Sequence, residues 1–190
     1  MGLTMSVPPT HEPVSLEQIR TDRRVTDESE ESYMMLLNAA ARSYVEGATT
    51  RQLVDATYVF TLDTFPTEIR LPRPPLDSVT SVQYIDTDGA TQTLAASVYT
   101  VLTDDLQEGR ITLAYDQTWP TTRDVPNAVT VTFVAGYGTE ADVPATFKKS
   151  ILLLVGEMYE QRETIVTSGV VKQVPTLDRL LWLDRVVQVV

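Results

Sequence analysis

Apolar positions along this chain change their period twice. Near the N-terminus they recur at helical spacing: Met34, Leu37, Ala41 and Tyr44 stand three and four residues apart and predict one buried face of a helix over residues 27–48. Glu28, Glu30 and Glu31 crowd its first turn, where the positive end of the helix dipole favours them. Gly47 and the Thr49-Thr50 pair mark its end. Upstream, Ser15-Leu16-Glu17-Gln18 has capping-box spacing and opens a shorter helix. Residues 1–14 carry Pro8, Pro9 and Pro13 without a period and are expected to form an extended N-terminal arm.

From Leu53 to Ala135 the pattern shortens towards alternation and the composition turns to Val, Thr, Tyr and Ile, broken by Pro, Gly and Asp. Strands are predicted over residues 54–62, 69–71, 79–85, 91–94, 99–102, 110–113 and 128–135. Asp88-Gly89 supplies a hairpin turn, since glycine tolerates positive φ. Arg73-Pro74-Pro75 makes a stiff corner. No helical segment separates these strands, so the sheet is expected to be mainly antiparallel. Helical spacing then returns. Asp142 and Pro144 mark a start, and Phe147, Ile151, Leu154, Val155, Met158 and Tyr159 share one face of a helix over residues 143–161. The fold class is α+β: N-terminal helices and a C-terminal helix packed with a mainly antiparallel β region over residues 53–135.

Charge narrows the functions. With 15 basic and 26 acidic residues the chain carries a formal charge of -11, the wrong sign for gripping phosphates. Its densest basic cluster, Arg20, Arg23 and Arg24, lies among Asp22, Asp27, Glu28, Glu30 and Glu31. Cysteine is absent, which removes thiolate metal sites, disulfides and a cysteine nucleophile. No apolar run approaches the length of a membrane span. Met1-Gly2-Leu3-Thr4-Met5-Ser6 fits a myristoylation pattern, but so do many unmodified chains.

The chemical candidates are weak. Gly136-Tyr137-Gly138-Thr139-Glu140-Ala141 satisfies a loose dinucleotide pattern, yet a phosphate cradle needs the helix to begin at the glycines. Here Asp142 and Pro144 place that start further on, Glu140 and Asp142 would face the phosphates, and the βαβ context is missing. The motif reads as a tight exit from a strand. Asp86-Thr87-Asp88-Gly89 resembles a calcium loop but has its glycine too early, so a hairpin is favoured. Asp104 and Asp105 could pair for acid–base work, although they sit beside Gln107, Glu108 and Gly109 with no partner constellation. His11 lies in the proline-rich arm, poorly placed for a general base. No catalytic, cofactor-binding or metal-binding residue is therefore assigned.

The tail is more informative. Leu180, Leu183, Val187 and Val190 line one face of a predicted helix, while Leu177, Leu181 and Trp182 load its other sides. Such a segment is costly to leave in water. It either packs on the chain's own core or docks on another subunit, and the sequence leaves both open.

One run carries a resemblance. Leu71-Pro72-Arg73-Pro74-Pro75-Leu76-Asp77-Ser78-Val79-Thr80-Ser81-Val82 resembles a hallmark of phage and prophage head–tail connector proteins, the adaptor family. The Asp-Gly hairpin of residues 86–94, Gly109-Arg110-Ile111, Trp119-Pro120, the run PNAVTVTFVAGYG at 126–138 and the helix of residues 144–163 follow in the family's order. Glu12-Pro13-Val14-Ser15-Leu16 is similar to its start, so the resemblance covers residues 12–163. It implies one adaptor domain over residues 15–163, between an arm at 1–14 and a loop with an apolar docking arm at 164–190. It also implies a homo-oligomeric ring of twelve below the portal at the virion neck, made in the host bacterial cytoplasm. Such a ring joins portal protein to a stopper or tail-completion protein, and DNA passes through its lumen without specific binding. It uses no cofactor, membrane or catalysis. The portal-docking residues would be Leu177, Leu180, Leu181, Trp182, Leu183, Val186 and Val187. Two other readings are a small carboxylate-dependent hydrolase and a monomeric β-rich binding module.

Overall fold

The structure, a computed structural model, describes residues 1–104, 107–160, 175–182 and 185–186. Its strands are β1 (Gly2–Val7), β2 (Ala56–Leu62), β3 (Glu68–Leu71), β4 (Leu76–Ile85), β5 (Thr91–Thr93), β6 (Tyr99–Leu102), β7 (Gly109–Leu113) and β8 (Val129–Ala135). Its helices are α1 (Leu16–Arg23), α2 (Glu31–Thr49), α3 (Ala145–Glu160) and α4 (Pro175–Trp182). The α+β class holds. The strands form two sheets, one ordered β1-β2-β8-β4-β5 and one ordered β3-β7-β6, with antiparallel pairing throughout.

Strand alternation explains the sandwich. In β2, Ala56, Tyr58, Phe60 and Leu62 are buried while the residues between them are only half-covered, and β8 repeats this with Val129, Val131, Phe133 and Ala135. These rows meet Ile69, Leu71 and Ile111 of the smaller sheet in one core. Gly109 makes the closest approach possible: a Cβ there would fall 2.3 Å from Leu76 Cδ2. At one end Phe65 stacks on Trp119 with centroids 4.8 Å apart.

The helices build a second core. Met34, Leu37, Ala41 and Val45 of α2 meet Phe147, Ile151, Leu154 and Val155 of α3, joined by Val14, Ile19, Leu53 and Val54. Helices pack chiefly on helices and strands on strands.

Several local expectations shift. Tyr44 is 54% exposed, and Val45 takes the buried place assigned to it. Tyr44 and Val45 fall three and four residues after Ala41, both at helical spacing, and packing against α3 takes Val45 into the core. Val54 belongs to the helical core, and the strand expected there begins at Ala56. The arm of residues 1–14 is extended at its start, but residues Gly2–Val7 pair with β2 as a sheet strand. Asp142 does not cap α3; it closes a one-turn 3-10 helix at Glu140–Asp142, accepting from the backbone N–H and hydroxyl of Thr139. Pro144 precedes α3, and its carbonyl accepts from Phe147 and Lys148.

Candidate interaction surfaces

The capping box before α1 forms as its spacing requires: Gln18 N–H donates to Ser15 Oγ, and Ser15 N–H donates to Gln18 Oε1. This anchors the chain's entry to the helical core. The two cores are then tied by one polar network. Glu46, 7% exposed, accepts from Leu53 N–H at 3.0 Å, Gln52 Nε2 at 2.9 Å and Arg42 Nη1 at 3.0 Å. Gln52 Oε1 accepts from the Tyr58 hydroxyl at 2.6 Å, linking α2 to β2. Arg42 also holds Glu12 at 2.7 Å. Burial pushes the Glu46 carboxyl above its ordinary range, against the pull of Leu53 N–H and Arg42. The Tyr58 phenol is likewise raised, first by burial. Every polar atom of the Glu46 carboxylate is occupied by the fold. It is a strut.

The glycine loop is a strand exit. Gly136 has φ 141 and Gly138 φ 96, both in the region that favours glycine. A Cβ on Gly136 would fall 2.5 Å from Asp55 N. Asp55 Oδ1 accepts from Gly138 N–H at 2.9 Å, so a carboxylate occupies the amide that a phosphate would need. Tyr137 packs on Phe147 at 6.0 Å between centroids.

The acidic candidates are turn-formers. Asp86 Oδ1 accepts from Asp88 N–H and Ala90 N–H, and Asp86 Oδ2 accepts from Gln92 Nε2 at 2.8 Å. Gln92 and Ala90 N–H hold this carboxyl below its usual range. Asp104 accepts from Gln107 N–H on an exposed loop, and Asp105 lies outside the described residues. His11 sits beside Thr10 Oγ1 on an exposed segment. Among the described residues, no helix is long and apolar enough to cross a membrane.

The tail residues divide. Leu177 and Leu181, four residues apart on α4, are each 6% exposed and belong to the helical core with α2 and α3. Leu180 is half-buried, and Trp182 stands 74% exposed. Val186 is half-buried; its N–H donates to Thr49 O at 3.0 Å, satisfying a carbonyl at the open end of α2. Leu183 and Val187 lie outside the described residues. One side of α4 thus serves the chain's own core, and Trp182 is left facing outward.

Two uncovered surfaces escaped the sequence reading. No exposed residue of α2 carries a charge, and Met35 and Leu36 are 61% and 65% exposed there. All of β1 is exposed, including Leu3, Met5 and Val7. The alternation Leu3-Thr4-Met5-Ser6-Val7 was a legible strand signal, overshadowed by the prolines that follow.

The chain matches a chain in the neck of an empty gene transfer agent particle, computed with C6 symmetry, at a TM-score of 0.82 and 20% identity, covering 100% of this chain and 98% of that one. It matches a chain in the virion of a native gene transfer agent particle at a TM-score of 0.82 and 21% identity, with the same coverage. A chain in the neck of a native particle, computed with C12 symmetry, gives 0.73 and 22% identity over 100% of this chain and 98% of that chain. No family model and no curated protein matches the sequence. At these identities the likeness shows a shared fold, from end to end of both chains. The whole domain has the architecture of chains found in phage-like particle necks.

Proposed function

We propose that this protein is a structural adaptor of a phage-like neck. Twelve copies form a ring between the portal and a stopper or tail-completion protein, and the ring works by assembly without catalysis. The observation that carries this reading is the end-to-end fold likeness to neck chains, at a TM-score of 0.82 with 98% of the other chain covered. The order of adaptor-like motifs over residues 71–163 supports it independently. The portal contact falls to the outward side of the C-terminal helix, with Trp182 as its exposed aromatic anchor; Leu183 and Val187 are assigned to the same contact from the sequence alone. Leu177 and Leu181 hold that helix to the core behind it. The -11 charge suits a lumen that repels DNA phosphates, so the duplex passes without sticking.

Native mass spectrometry tests the reading. The purified protein, alone and then mixed with portal rings, is expected to give ring-sized masses in at least one condition. A monomer that ignores portal rings would overturn it. Trp182→Ala should leave the protein folded and weaken portal attachment; attachment unchanged would remove the tail from the contact.

A further inference from the structure

Among the described residues, exposed large apolar side chains gather in two places. Met35, Leu36 and Tyr44 lie on the outer side of α2; Met1, Leu3, Met5 and Val7 lie on or beside β1. The other exposed large apolar residues, Leu102, Tyr115 and Trp182, fall on separate segments of the chain. Both gatherings have a structure that the monomer leaves unused.

On α2 the exposed positions also include Ala40, Ser43 and Gly47, which run with Leu36 down one side of the helix. The other long helix shows the usual pattern instead, exposing Lys149, Glu157 and Glu160. Gly47 is informative because a Cβ placed there meets nothing within 4 Å. The monomer has no packing reason for glycine at this helical position. A backbone approaching from outside supplies one.

On β1 the pairing register explains the apolar row. Leu3 lies opposite Phe60 and Met5 opposite Tyr58, so these four side chains share one face of the sheet. Phe60 and Tyr58 are 6% and 4% exposed within the sandwich, whereas Leu3 and Met5 are 37% and 42% exposed. The core-facing row therefore continues past its cover onto the last strand of that sheet, whose outer edge is unpaired among the described residues.

We propose that these two surfaces meet each other: the outer face of α2 on one copy seats the β1 row of the next copy, head to tail. This deepens the ring of the adaptor reading and rests on it. Two arguments select a second copy as the occupant. Identical chains of charge -11 repel, and they approach at least cost through surfaces that carry no charge. The described residues of β1 and the exposed residues of α2 are such surfaces. Two unlike patches on one chain, moreover, generate a heterologous contact, which makes a ring where the rotation between copies closes; a twofold dimer would use a single patch twice.

The absence of native cysteine makes crosslinking clean. Leu3→Cys and Leu36→Cys, both at exposed positions, are made separately, checked for unchanged melting, and treated with a short bismaleimide singly and as an equal mixture. Each is run alone and with portal rings, beside wild-type native mass spectra. The expected result is a crosslinked dimer that dominates in the mixture and exceeds either single-variant dimer. Leu36→Cys crosslinking chiefly to itself would overturn the head-to-tail arrangement. Wild-type rings without the mixed product would overturn this interface and leave the adaptor reading standing. No ring in either condition, with no crosslink, would overturn both. As a second variant, Leu36→Glu should lower ring formation at least about tenfold while the melting temperature is unchanged; intact rings would overturn the proposal.

Discussion

Glu46 shows how a single side chain can be read two ways. Its spacing from Arg42 suggests an ordinary surface pair on a helix, but the fold buries it and gives it Leu53 N–H and Gln52 as well. Burial raises its pKa above 4.5, so the folded state holds the proton more tightly than the unfolded chain. The contribution to stability is full below about pH 4.5 and is lost as pH rises through the folded value. Asp142 works oppositely: Thr139 lowers its pKa from 3.8, so its contribution is present above that pH and lost as pH falls through the folded value. Glu46→Gln should therefore flatten the decline of wild-type stability above pH 4.5, measured as melting temperature against pH. Glu46→Ala should cost about 1–3 kcal/mol for each buried donor left unpaired. Gly47 gives a second prediction at this scale. Gly47→Ala should stabilise the monomer by about 0.5–1 kcal/mol, because alanine suits a helix better and nothing opposes its Cβ, yet weaken association of copies. Chemical denaturation and native mass spectra separate the two effects. Tyr44 marks the limit of residue-level reading: three- and four-residue spacing admits both Tyr44 and Val45 after Ala41, and only packing against α3 chose Val45.

Elements were more legible than their ends. Alternation, Asp88-Gly89 and the Pro74-Pro75 corner located most strands, because a half-covered sheet writes its pleat into the sequence. The strand β1 was missed because the prolines after it read as an arm. On α4 the sequence showed an apolar segment but not which side was already used. Leu181→Ala should cost about 2–5 kcal/mol, since it removes a core side chain. Trp182→Ala should stay within about 0.5 kcal/mol of wild type, as expected of an exposed position away from the core. Equal losses in thermal melts of the two variants would contradict the division of α4 into an inner and an outer side.

At the scale of the whole molecule, the charge of -11 sets the conditions for assembly. Repulsion between copies extends over a Debye length of about 8 Å at physiological salt and shrinks as salt rises. Ring formation through uncharged faces should accordingly increase between low and high ionic strength, read from sedimentation at fixed protein concentration. A steep loss with salt would point instead to ion pairs across the contact. The sequence by itself determined the α+β class, the antiparallel habit of the strands, the acidic surface and the turn at Gly136-Gly138, since each follows from local periodicity, composition or backbone freedom. Only the tertiary structure decided that the strands split into two sheets, that helices and strands keep separate cores joined at Glu46, and that Leu181 turns inward while Trp182 turns outward. Those outcomes depend on pairings such as β2 with β8 and α2 with α3, between segments far apart in the chain. Local patterning carries no record of which distant surface a given face will meet.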